Sequence, residues 1–211
     1  MTRIPRRLLL GAGLSLPFMA HRALAQQDIG RAASFIQTTG RDLVAAINDT
    51  RSDLATRRLH VAAVLRKAVD IEGVGRFILG RWWRQATPAE QAEYVKLFEE
   101  TLIRNLSARF GEYQGVRFSL GRSQLRTEDD VLVNTIIERP NSAPFALDWR
   151  VGDVGGQPKI VDVIAEGTSL RLTQRSEYSA VIQQNNGSVA ALLTAMKRQI
   201  QQLAAREQGA R

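Results

Sequence analysis

Apolar residues along this chain change their spacing twice. Ile29, Ala32, Ile36, Leu43 and Ile47 recur at helical spacing, as do Leu54, Val61, Val64, Leu65 and Ala68, which predicts two amphipathic helices over residues 27–69. A shorter apolar-rich helix follows between Ile71 and Trp83, carrying Val74, Phe77, Ile78 and the adjacent Trp82 and Trp83. A long helix is predicted from Pro88 to about Phe110. Its apolar stripe is Val95, Phe98, Leu102 and Leu106, set against Glu90, Glu93, Lys96, Glu99 and Glu100 on the wet side. From Val116 the period falls to two. Val116, Phe118 and Leu120 alternate with polar or small residues, and so do Phe145, Leu147, Trp149 and Val151; each is a strand with one buried face. Val131 to Glu138 and Lys159 to Ala165 add two more strands. After Gly167, residues 171–184 and 187–205 return to helical spacing, the second with Val189, Leu192, Leu193, Met196 and Ile200.

Local punctuation supports this division. In Thr87-Pro88-Ala89-Glu90, Thr87 is placed to cap the helix, Pro88 stands at its first position and Glu90 closes a capping box. The turns Glu128-Asp129-Asp130, Pro140-Asn141-Ser142 and Gly155-Gly156-Gln157-Pro158 are short enough for antiparallel hairpins. The expected fold is therefore α+β, with several helices packed on a twisted antiparallel meander of four strands. Neither a linker nor a repeat divides it.

The first 25 residues do not fit that scheme. Arg3, Arg6 and Arg7 make a positive start, Leu8 to Met19 form an apolar run softened by Gly11, Gly13 and Pro17, and Ala23 and Ala25 offer small residues at both cleavage subsites. The run is about a dozen residues, short of the roughly 20 that cross a bilayer. The pattern predicts an export signal over residues 1–25 with cleavage before Gln26. Arg6-Arg7 is compatible with the twin-arginine route as well as the general secretory one.

Removing that segment changes the charge. The chain holds 29 Lys and Arg against 21 Asp and Glu, a formal +8; the first 25 residues contain four arginines and no acid, so the remainder is 25 minus 21, or +4. A mild excess of this size does not suggest nucleic-acid binding and suits transient contact with an anionic membrane surface. About 186 residues remain, enough for one domain with a substantial core, taken as residues 26–205 with residues 206–211 as a flexible basic tail. With no cysteine, the chain has neither a disulfide framework nor thiolate chemistry.

Catalytic chemistry is nearly absent from the pattern. Outside the export segment the one histidine is His60, on a helix beside Leu59 and Val61, where a structural role is the ordinary one. There is no Walker loop, HExxH or G-x-S-x-G, and Gly73-Val74-Gly75 lacks both a preceding strand and a third glycine. Asp162 and Glu166 could face each other near a strand end as an acid–base pair in a hydrolase or isomerase, or serve as solvated charges. No metal, cofactor or catalytic site is predicted.

Two segments carry more information. Phe77-Ile78-Leu79-Gly80-Arg81-Trp82-Trp83-Arg84-Gln85-Ala86-Thr87-Pro88, with Gln91 and Phe98 following, is one. Asp162-Val163-Ile164-Ala165-Glu166-Gly167-Thr168-Ser169-Leu170, leading to Arg175-Ser176-Glu177-Tyr178, is the other. In this order they resemble the toluene-tolerance family of MlaC-like periplasmic phospholipid-binding proteins, and the resemblance runs from about Ile29 to Leu193.

That resemblance implies a soluble lipid carrier, with helices and sheet enclosing an apolar cavity. Its partners would be a phospholipid ligand, an inner-membrane ABC lipid transporter complex and an outer-membrane lipoprotein and porin complex. The pathway would maintain outer-membrane lipid asymmetry. A branch of the family is associated with hopanoid biosynthesis, which leaves a hopanoid-associated carrier as an alternative; an envelope adaptor that binds no lipid is another. The expected pocket residues are Phe77, Trp83, Phe98, Leu102, Leu106, Phe118, Val133, Phe145, Leu147, Trp149 and Val163, with Arg81, Arg84 or Arg175 at the rim as headgroup cations. From spacing alone each apolar residue is equally suited to an ordinary core. Trp82 and Trp83 point about 100° apart on a helix, so one can wall the cavity while the other packs elsewhere.

Overall fold

Five of the helices begin where a polar side chain, Asp53, Asp70, Thr87, Ser169 or Ser188, satisfies free backbone donors. The computed structural model describes residues 16–127 and 130–209, with side chains from Asp28 to Glu207. Helix α1 spans Leu16–Asn48, α2 Leu54–Ala68 and α3 Ile71–Leu79, followed by a 3-10 segment at Gly80–Arg84; α4 spans Pro88–Ser107. Asp53 caps α2 by accepting from the Thr56 amide at 2.7 Å, and Asp70 caps α3 from the Gly73 amide at 3.1 Å. At α4 the predicted capping box is formed: the Thr87 amide donates to the Glu90 carboxylate at 2.8 Å and the Glu90 amide to the Thr87 hydroxyl at 3.2 Å. Helices α5, Leu170–Gln184, and α6, Val189–Gly209, complete the helical set.

The sheet is an antiparallel meander in the order β1 (Arg117–Thr127), β2 (Asp130–Glu138), β3 (Phe145–Val154), β4 (Gln157–Ala165) and β5 (Thr168–Ser169). Five strands stand where four were expected. The fifth is two residues long and pairs with Ile164 and Ala165 across the Glu166-Gly167 turn, too short to show a period in sequence. Strands β3 and β4 join through Gly155 and Gly156, both at positive φ, the conformation that a two-residue hairpin loop requires.

Register places alternate residues on opposite faces. Val133 lies opposite Trp149 and Trp149 opposite Val163, so these three share a face; Thr135, Leu147 and Ala165 form the next row, and Phe118, Ile137 and Phe145 the row after that. Helix α1 lies on this face over β1 and β2. Its approach is close at Gly40, where any β-carbon would meet the Phe118 ring at about 2.5 Å.

Three apolar clusters hold the molecule together. One joins α3, the 3-10 segment, α4, α5 and α6 around Tyr94, Phe98, Tyr178, Ile182, Leu192 and Met196. A second seats α1 on the sheet through Ala32, Ile36, Val131, Val133, Val151 and Ile160. The third closes the ends of α1, α2 and α4 around Ile47, Val61, Phe110 and Val116.

The C-terminal end differs from expectation in detail. Residues 206–209, expected in a flexible basic tail, continue α6; Glu207 is 6% exposed and bonds Arg58 at 2.9 Å and Arg104 at 3.1 Å. Of the expected export signal, Arg6 and Arg7 lie outside the described residues. The α1 backbone passes through Ala23 and Ala25, whose side chains lie outside the described residues too. Among the described residues no helix is long and apolar enough to cross a membrane.

Candidate functional site

The sheet face beneath the helices is unevenly covered. Helix α1 covers β1 and β2 and meets β3 at its Trp149–Val151 end, while α2, α3 and α5 reach the β4–β5 edge; no helix lies along the rest of β3. The β3 side chains on that face, Phe145, Leu147 and Trp149, are all apolar and only half-buried. Beside them on β2 the same face is tight: Val133 is 0% and Thr135 1% exposed. The Thr135 hydroxyl accepts the Trp149 indole N–H at 2.8 Å, so the one polar atom of that aromatic side chain is satisfied inside the sheet and its ring is held in place. The result is an apolar strip whose Phe145 end carries the Arg139 guanidinium 5.2 Å over its ring.

Sequence reasoning named eleven pocket residues, and they divide by environment. Phe118, Val133, Phe145, Leu147, Trp149 and Val163 share the sheet face, as alternation required. Phe77, Trp83 and Leu102 are half-buried against the α3–α6 cluster, and Leu106 against the α1–α2–α4 cluster. Phe98 and Val133 are core residues. Phe98 is 3% exposed and stacks on Tyr94 at 6.0 Å. The two tryptophans part as helical geometry demands: Trp82 is buried and donates to Ser179 at 3.2 Å, while Trp83 is half-buried edge-on to Tyr94.

A groove of about 620 Å³ lies elsewhere, between the end of α1 and α2, lined by Asp42, Asn48, Asp49, Arg51, His60 and neighbours. None of the eleven residues lines it. The Ser52 hydroxyl bonds Asp49 at 2.6 Å and holds its carboxyl below the usual aspartate range. Among the described residues no group of histidine and acidic side chains could hold a metal ion.

Asp162 and Glu166 do not form a pair. Asp162 is buried and accepts from the Ser169 hydroxyl at 2.6 Å, the Val163 amide at 2.8 Å and the Arg171 amide at 3.3 Å, and it pairs with the Arg171 guanidinium at 3.3 Å. Glu166 is exposed in the hairpin turn with φ of 50°. The motif is thus a structural knot that ties β4 to the start of α5, with Ser169 also capping that helix. Arg171, not singled out in sequence, is its cation: it lies 4.2 Å over the Phe77 ring, and burial lowers its pKa, with the neighbouring Arg150 acting in the same direction. Its signal was its place two residues after the N-cap serine. The expected rim cations lie close by, Arg175 5.0 Å over Phe77 and Arg81 4.5 Å over Trp82.

Helices on one face of an antiparallel meander, a half-buried apolar strip on the central strand and Asp162 engaged in structure define a class: an α+β fold with an apolar floor. A model of the MlaC protein family matches residues 37–198, and the chain belongs to that family. It is 22% identical over 139 residues to the intermembrane phospholipid transport system binding protein MlaC of Haemophilus influenzae, a match covering 64% of each protein. It is 20% identical over 127 residues to the toluene tolerance protein ttg2D of Pseudomonas putida, covering 60% of this chain and 59% of that one. The chain thus spans somewhat less than two thirds of the length of these relatives. A solved phospholipid-binding protein of Ralstonia solanacearum, in complex with a phospholipid, shares the fold with a TM-score of 0.73 at 24% identity, over 82% of this chain and 98% of its own.

Proposed function

We propose that this protein is a periplasmic carrier that binds phospholipid and shuttles it between outer and inner membranes as part of an ABC-type transport pathway. In this reading residues 1–25 export the chain and residues 26–205 bind the lipid. The observation that carries it is the half-buried strip Phe145, Leu147 and Trp149, of which only Trp149 packs against the α1 cluster, in a fold that in the Ralstonia protein holds a phospholipid. The energetics favour such a surface. Burial is worth about 0.8 kcal/mol per CH₂, so an acyl chain of roughly 16 carbons gains about 13 kcal/mol by leaving water. Exchange between one apolar host and another is then nearly neutral, and a carrier needs no nucleotide of its own. Inner- and outer-membrane partner complexes would set the direction. The contacts that hold Asp162 and the solvent exposure of Glu166 support a binding role over acid–base catalysis.

Native mass spectrometry of protein purified from the cell envelope tests this directly. The expected spectrum carries added mass of one or more phospholipids, and Leu147→Asn, which places an amide in the strip, is expected to lose that mass while keeping its circular dichroism. A ligand-free wild-type spectrum under conditions that preserve known lipid complexes refutes the proposal.

A further inference from the structure

Half of the arginines among the described residues, Arg31, Arg51, Arg58, Arg66, Arg104, Arg117, Arg126, Arg139, Arg150 and Arg171, face a carboxylate. Arg81, Arg84 and Arg175 have no carboxylate partner among the described residues, and all three are exposed. They are neighbours. Arg81 and Arg84 stand three apart in the 3-10 segment, where residues i and i+3 eclipse, and the Arg175 guanidinium packs over Gly80. Two of them rest on aromatic rings, Arg81 on Trp82 and Arg175 on Phe77, so their stems are held while the charge stays in water. Trp82 is itself bonded to Ser179 of α5, which locks the two elements together. The nearest acid on α5, Glu177, is engaged by the Gln174 amide at 3.0 Å. Leu172, three residues before Arg175 on the same helix, is 53% exposed, and Leu170 stands at the helix start with 49% exposed.

We infer that this patch is the surface by which the protein docks on an anionic phospholipid membrane, an inference that rests on the carrier reading and locates where the carrier meets the bilayer. Unpaired guanidinium groups match lipid phosphates, and an exposed leucine beside them enters the boundary between headgroups and acyl chains. Each cation near an anionic surface strengthens partitioning about five-fold. The rings beneath the arginines supply order that loose surface lysines lack.

Vesicle flotation at low salt, with phosphatidylethanolamine and phosphatidylglycerol in a 3:1 ratio, tests the inference. The triple variant R81Q/R84Q/R175Q is expected to bind roughly 100-fold more weakly than wild type, and L172S to weaken binding further. The control R109Q/R198Q/R206Q removes the same charge from exposed sites elsewhere and is expected to stay within about three-fold of wild type. Equal loss in patch and control variants, undiminished vesicle binding by the patch variant, or equal binding of wild type to phosphatidylcholine vesicles overturns the inference; the second outcome would assign the patch to an acidic protein. Native mass spectra of the same samples separate the two readings. Lipid load without vesicle binding removes only the docking surface, and vesicle binding without lipid load removes the carrier.

Discussion

The α3–α6 cluster and the β3 strip are both apolar, yet they are packed to opposite ends. In the cluster every large ring is engaged: Tyr94 stacks on Phe98, meets Trp83 and Tyr178 edge-on, and donates its hydroxyl to the Gly75 carbonyl at 3.0 Å. On β3 the sheet itself is fully formed, but Phe145, Leu147 and Trp149 are half-buried, and only Trp149 packs against the α1 cluster. A core packed to crystal-like density has no room for a guest. A half-covered apolar strip is where further burial gains most, so the difference separates what holds the fold from what stays half-covered.

The comparison is broken most forcefully by truncating both sides. Phe98→Ala is expected to cost about 3–5 kcal/mol in denaturant unfolding, through lost contacts and the cavity left behind. Leu147→Ala, on the half-covered strip, is expected to cost about 1 kcal/mol or less in the lipid-free protein. Equal costs would show the strip to be core.

Alkaline titration sharpens the same contrast. Burial, assisted by Tyr178, raises the Tyr94 pKa, and burial, assisted by Glu177, raises that of Tyr178. Both phenols stay protonated in the folded state after their unfolded counterparts have ionised near pH 10. Their contribution to stability is therefore complete below pH 10 and is lost as pH rises from there toward the folded values, at about 1.4 kcal/mol per pH unit per tyrosine. Urea midpoints measured from pH 8 to 11.5 should be flat and then fall. Tyr94→Phe should reduce the slope by about half.

The smallest expected effect concerns the strip's own support. Trp149→Phe removes the indole donor and leaves the Thr135 hydroxyl with its weaker bond to the Leu147 carbonyl at 3.4 Å. The expected cost is about 1 kcal/mol in urea unfolding. Lipid load in native mass spectra is expected to persist, because the strip remains apolar; its loss would show that ring orientation matters more than apolarity.

Much of this molecule was legible in the spacing of its residues. The capping box at Thr87 and Glu90 acts over three residues, and the strand alternation that put Phe145, Leu147 and Trp149 on one face acts over two, so both can be read locally. Strand β5 was missed because two residues show no period. Glu207 was assigned to a basic tail by its neighbours in sequence, whereas the charges that bury it come from Arg58 and Arg104 on two other helices. Asp162 was considered with Glu166, four residues on, yet its partners are Ser169 and Arg171 across a turn.

The sequence by itself determined the order of helices and strands, the faces they bury and the family motifs, because each is written in short-range period and residue type. The tertiary structure alone decided which apolar residues are sealed in the core and which stay half-covered. Leu102, Leu147 and Phe98 look alike in any periodic pattern, and only the placement of neighbouring helices closes over Phe98 while leaving Leu147 half-covered. Covering is a property of elements meeting from distant parts of the chain, and local spacing does not encode it.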